Sequence, residues 1–143
     1  MLAEERSPPV DDKKPIDAKL VHEFVGNAHG NLARVKELLE IEPALVNSCW
    51  DWGEGDWETG LGAASHMGNR PIAEYLLARG ARLDIFAAAM LGRVDVVHAT
   101  LSAFPAMTDS LGPHGIPLLA HAKAGGDGSV EVVRLLEREV AVP

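Results

Sequence analysis

TGLGAASHMGNRPIAEYLLARGARLD, residues 59–84, changes character at one glycine. Before Gly68 the residues are small and alanine-rich; after it GNRPIAEYLL reads as an amphipathic helix. Pro71 falls in the first turn of that helix, where its missing N–H leaves no bond unmade. The same order occurs three more times. GNLARVKELL from Gly30, GRVDVVHATL from Gly92 and GSVEVVRLLE from Gly128 follow the shorter segments HEFVGNAHG, IFAAAMLG and IPLLAHAKAG. Apolar residues recur at helical spacing, as in Leu32, Val35, Leu38 and Leu39 or in Val130, Val133 and Leu136. Small residues in the short segments let paired helices approach closely. A unit of short helix, glycine turn and longer helix cannot bury its apolar face alone, so the pattern predicts an all-α stack of such units.

This order resembles the ankyrin repeat, whose unit of about 33 residues carries T-P-L-H-x-A before its glycine turn. IPLLAHAKAG (116–125) is close to that motif, TGLGAASHMG (59–68) is a weaker match, and ARGARLD (78–84) resembles the repeat ending. From Gly92 to Gly125 is 33 residues, and the resemblance covers roughly residues 17 to 140. GDWETGLGAASHMG, IFAAAMLG and GPHGIPLLAHAKAG are also similar to small stand-alone ankyrin proteins of bacterial type, a likeness that implies a fold and no common activity. The implied fold is an all-α, ankyrin-type helical solenoid of about four repeats, at about 17–46, 47–82, 83–108 and 109–143. Residues 16–143 form the repeat domain. A mobile tail, 1–15, precedes it, where Pro8, Pro9 and the DDKK run discourage order. Asp17 is the expected first helix cap. The apolar ending VAVP either packs back on the last helix or meets a second copy, so the expected state is a monomer or weak homodimer.

Two intervals depart from the repeat. Gly30 to Gly68 is 38 residues, and Gly68 to Gly92 is only 24. The first makes one finger loop, about 47–58, overlong; the second leaves the next finger, about 82–84, missing. The fourth unit carries three additional residues, Gly126, Asp127 and Gly128, between its helices.

The long finger holds SCWDWGEGDWETG (48–60), with all three tryptophans of a chain that has four other aromatics. Buried indoles would plug the gap left by the missing finger, each removing about 150–250 Å² from water. Exposed indoles would be binding anchors, steered to a basic partner by Asp51, Glu54, Asp56 and Glu58. Gly53, Gly55 and Gly60 supply the backbone freedom of a folded-back loop. Trp57 is expected to point inward, beside the helix start, with Trp50 or Trp52 more exposed. Ankyrin-like units turn the residues before the turn glycine toward a concave groove, which here implies Ala28/His29, His66/Met67, Met90/Leu91 and Lys123/Ala124. The expected partner-binding set is therefore Trp50, Trp52, Asp56, Trp57, Glu58, His66, Met67, Met90, Leu91 and His114. The leading functional reading is a protein–protein interaction module. The alternative is a small-molecule or catalytic pocket beneath the tryptophans, using His66 with Asp56 and Glu58 and with His114 at its edge.

A net charge of −8 with no Lys/Arg cluster argues against nucleic acid. Cys49 is the only cysteine, which excludes an intrachain disulfide, and it reads as a small packing residue. With no run of 18 apolar residues and no apolar leader-like start, no membrane association is expected and the location is read as cytoplasmic. No metal and no cofactor are expected. Packed helices about 8–10 Å apart would keep His29 and His66 from sharing an ion, and no H-E-x-x-H or phosphate loop occurs. His22 and His98 have no second ligand in view. His121 is assigned a structural bond to the backbone of a neighbouring unit. His114, in the proline-framed turn SLGPHGIP, is a candidate for ligand contact.

Overall fold

The structure, a computed structural model, describes residues 13–141, with side chains to Arg138. Most of the expected tail, and the side chains of the VAVP ending, lie outside the described residues. Eight α-helices among the described residues form four pairs: α1 (Ala18–Asn27) with α2 (Leu32–Ile41), α3 (Gly60–His66) with α4 (Arg70–Ala78), α5 (Ile85–Met90) with α6 (Val94–Ala103), and α7 (Leu118–Ala124) with α8 (Val130–Ala141). The chain is mostly helical. None of the described helices is long and apolar enough to cross a membrane.

Local chemistry sets the helix starts. The Asp17 carboxylate accepts the Lys19 N–H at 2.8 Å, as its position predicts. Asn31, Thr59, Asn69 and Asp84 cap α2, α3, α4 and α5 in the same way, and Pro71 sits in the first turn of α4. Turns between paired helices use left-handed glycines where the next layer leaves no room. At Gly68 (φ 66°) and Gly92 (φ 78°) a Cβ would collide with the carbonyl oxygens of Ala124 and Gly128. Gly60 has another role than loop freedom: it lies at the start of α3, where a Cβ would stand 2.7 Å from the Phe24 ring.

Helices α3 and α5 are buried nearly all round, whereas α1 buries only Phe24 and Val25 and α7 only Leu118, His121 and Ala122. Gly60 through Ser65 of α3 and Ala87 through Met90 of α5 are buried, so α1, α3, α5 and α7 form the inner row. One apolar cluster joins Phe24, Val35, Leu38, Leu61, Ile72 and Leu76, and a second joins Val97, Leu118, Ala122, Val132 and Leu136. Helix α5 serves both, giving Ala87 and Met90 to the first and Ile85, Ala88 and Ala89 to the second. Met90, expected on the groove surface, is therefore core. Val130 is 39% exposed, and α8 buries Val132, Leu135 and Leu136 instead.

The long link between α2 and α3 contains the only sheet among the described residues, β1 (Cys49–Asp51) antiparallel to β2 (Trp57–Thr59). Cross-strand partners are Cys49 with Thr59, Trp50 with Glu58 and Asp51 with Trp57. The link from α4 to α5 has no such hairpin, and the array curls there: α3 packs on α5 and also reaches α7, two pairs onward. The β1–β2 hairpin thereby meets the loop at residues 111–117.

Candidate functional site

Side-chain alternation along β2 decides which way the hairpin's chemistry faces. Neighbouring residues on a strand point to opposite faces, while cross-strand partners share one. Trp50 and Glu58 are partners, and both face the helices: Trp50 packs on the first apolar cluster and Glu58 is 1% exposed. Trp57, next along the strand, must then face outward, and it is 61% exposed. The expected order, Trp57 inward with Trp50 or Trp52 more exposed, is reversed for this reason: even Trp52, at 39%, is less exposed than Trp57.

Three of the four acids of the finger are engaged within the molecule. Asp51 Oδ1 accepts the backbone N–H groups of Gly53 and Gly55 at 2.8 and 3.0 Å and pins the hairpin turn. Asp56 takes both the His114 backbone N–H and the His114 Nδ1–H at 2.7 Å. These contacts hold the Asp56 carboxyl below the usual aspartate range, the His114 backbone N–H contributing most. Glu54 stays exposed at the turn. His114 adopts φ 61° inside a tight turn from Pro113 to Gly115, which aims its ring at the hairpin.

Glu58 is the centre of the site. Its Oε1 accepts the Trp52 indole N–H at 3.0 Å and lies 3.1 Å from His29 Nε2. Its Oε2 lies 3.0 Å from His66 Nε2 and 3.1 Å from His114 Nε2. The His29 and His66 rings are 5.1 Å apart and the His66 and His114 rings 5.2 Å apart. His29 follows α1, His66 ends α3, Glu58 lies on β2 and His114 is on the 111–117 loop, so four chain segments converge. Burial alone would push the Glu58 carboxyl up; the neighbouring His66, His29, Trp52 and His114 outweigh it and hold the group below the usual glutamate value.

The hydrogen positions follow from the outer partners. His29 Nδ1 faces two backbone carbonyls, Val25 at 3.1 Å and Gly26 at 3.0 Å, and carbonyls only accept. His114 Nδ1 faces the ionised Asp56. Both rings therefore carry hydrogen on Nδ1, and in the neutral state each turns a bare Nε2 lone pair toward Glu58. Glu58 Oε2 and His66 Nε2 are buried and have no hydrogen-bond partner among the described residues. His29, Glu58, His66 and His114 each offer one ligand atom, all within 4.8 Å of one another, and are the residues able to hold a cation.

Helix spacing misled the expectation that His29 and His66 lie too far apart. An axis separation of about 8–10 Å limits backbones, and imidazoles reaching inward from two helices meet midway. Of the expected site residues, Trp52, Asp56, Glu58, His66 and His114 come together, with Trp50 beneath them. Trp57 and Met67 are exposed away from Glu58, Leu91 packs on the core and Met90 is buried within it. His29 is the member the expected set lacks, although it precedes Gly30 much as His66 precedes Gly68.

Other expectations resolve plainly. His22 is exposed, its ring 4.9 Å from Trp50 and 5.3 Å from Trp52, and His98 is exposed on α6. Cys49 is exposed rather than packed. His121 is buried and bonds the Pro117 carbonyl of its own helix start at 2.9 Å, not a neighbouring unit; burial pushes its pKa down. No family model matches the chain, and neither does any curated protein.

Proposed function

We propose that this chain is an ankyrin-type helical scaffold whose function is carried out at the Glu58 cluster, as a binding centre for a small electron-pair acceptor. Four helix pairs joined by glycine turns, with a hairpin projecting between the first and second, support the ankyrin reading. A lone exposed cysteine supports a reducing, cytoplasmic setting. The carrying observation is the buried Glu58 carboxylate ringed by the Nε2 atoms of three imidazoles from three separate segments. Packing has no use for such an arrangement: apolar side chains of similar volume serve stability as well or better. Clusters of this kind mark ligand sites.

Native mass spectrometry on the purified chain, before and after exposure to lysate of its source, tests the reading. A low-mass adduct that disappears in Glu58→Gln and His66→Ala is the expected result. Mass gains only in the thousands of daltons, unaffected by either substitution, would overturn it.

A protein-docking role keeps one observation in its favour. Beside the hairpin, where a third finger would stand, lies a cavity of about 330 Å³ lined by Trp57, Asp84, Phe86 and Leu111. Trp57 and Leu111 are 61% and 65% exposed. A partner seated there would lose affinity in Trp57→Ala and be indifferent to His66→Ala.

A further inference from the structure

The electron pairs around Glu58 specify what the ligand is. We propose that His29, His66, His114 and Glu58 bind a divalent first-row transition-metal ion, with zinc, cobalt, nickel and iron as the fitting class. This rests on the reading of the cluster as a small-ligand centre and gives that ligand its chemistry.

Three observations carry it. The first is electronic. Carbonyl and carboxylate partners put the hydrogens of His29 and His114 on Nδ1, so their Nε2 lone pairs face carboxylate oxygens at 3.1 Å. One metal ion answers all of these atoms at once. The second is that Glu58 Oε2 and His66 Nε2, two of the three buried side-chain atoms without a hydrogen-bond partner among the described residues (His121 Nε2 is the third), stand 3.0 Å apart without hydrogen-bond alignment. Two ligands held at right angles about 2.1 Å from one ion are also about 3.0 Å apart. The spread of the four ligand atoms, up to 4.8 Å, needs contraction by roughly half an ångström to meet the limit of about 4.2 Å across a six-coordinate ion, and by about 1.4 Å to meet the separation of about 3.4 Å in a tetrahedral one.

The third observation is the outer shell. Metal-bound imidazoles typically donate their other N–H to a carbonyl or carboxylate, which sets tautomer and ring orientation. Val25 and Gly26 do this for His29, and Asp56 does it for His114 with a second anchor on the His114 backbone. The Trp52 N–H does the corresponding work for the carboxylate by occupying Oε1. Three imidazoles and one carboxylate suit borderline ions rather than calcium or magnesium, which prefer oxygen. The partly exposed His29, Trp52 and His114 frame the side on which a six-coordinate ion would keep positions for water or a substrate oxygen.

The test is titration of chelator-treated protein with cobalt(II), read by its visible absorption. One equivalent binding through nitrogen ligands is expected, weakened at least about 100-fold in each of His29→Ala, His66→Ala and His114→Ala, with far-UV circular dichroism checking the fold. Asp56→Asn should weaken binding about 10–100-fold through His114. His98→Ala, remote on α6, should bind as the unaltered chain does. X-ray absorption on the zinc-loaded, unaltered protein gives a readout independent of any variant, with three imidazoles expected in the first shell. Cobalt bound equally by the three histidine variants, or a first shell with fewer than two imidazoles, would overturn the metal assignment. A low-mass adduct that survives chelation and still requires Glu58 would refute the metal while leaving the small-ligand centre in place.

Discussion

The link from α2 to α3, residues 42–59, and the link from α4 to α5, residues 79–84, occupy equivalent places in the chain and do opposite things. The long link builds a hairpin and lowers a carboxylate into the space between α1 and α3. The short one supplies little beyond Asp84, whose side chain caps α5 through the Ala87 N–H at 2.8 Å. Their effects are joined. Because no hairpin rises from the short link, the 111–117 loop closes on the long one and delivers His114 to Asp56 and Glu58. A deletion in one place and an insertion in another together make a site that neither makes alone.

The largest effect is expected from removing the group at the centre of the long link. Glu58→Ala deletes the acceptor of the Trp52 indole N–H and leaves three imidazoles facing a gap, and losing a buried, hydrogen-bonded side chain at the centre of a cluster costs about 2–5 kcal/mol. Chemical denaturation should show it as a lower midpoint with an unchanged slope. An unchanged midpoint would mean that the hairpin does not hold Glu58 inward. Trp52→Phe keeps the ring and deletes the indole N–H to Glu58 Oε1, a bond to a charged acceptor worth about 1.5–3 kcal/mol, and should fall between the two extremes of this comparison.

His121 is the buried polar group on the short-link side, against Phe86 at a ring separation of 4.8 Å. Its folded pKa is depressed, so the unfolded chain takes up the proton first as pH drops below about 6.5. More protons on the unfolded state means that stability is full above that value and declines as pH falls toward the folded pKa. Denaturation midpoints between pH 7.5 and 5.5 should therefore fall more steeply for the unaltered chain than for His121→Gln. Equal slopes would contradict the assignment of a neutral, buried imidazole.

The smallest effect belongs to Trp57→Ala. An exposed indole on the outer face of β2 should change stability by no more than about 0.5 kcal/mol. A loss of several kcal/mol would return Trp57 to the role of a plug and undo the strand register on which the site depends.

Much of this molecule is legible in the chain. Glycine turns, capping residues, the helical period and the two irregular intervals announce helix pairs, a protruding insertion and a shortened link, because these depend on neighbours a few residues apart. Asp56, Glu58, His66 and His114 are recognisable as candidates on residue type alone. What the sequence could not decide was facing. Whether Trp57 or Glu58 turns inward depends on strand register, a choice of one residue that moves every side chain to the other face. The rejected pairing of His29 with His66 was decided by side-chain reach between helices, and the arrival of His114 by the curl that a short link permits. Those are distances between segments 29 and 56 residues apart in sequence, from Glu58 to His29 and to Asp56-bound His114. Local preferences set each segment; only packing them together brought three imidazoles to one carboxylate.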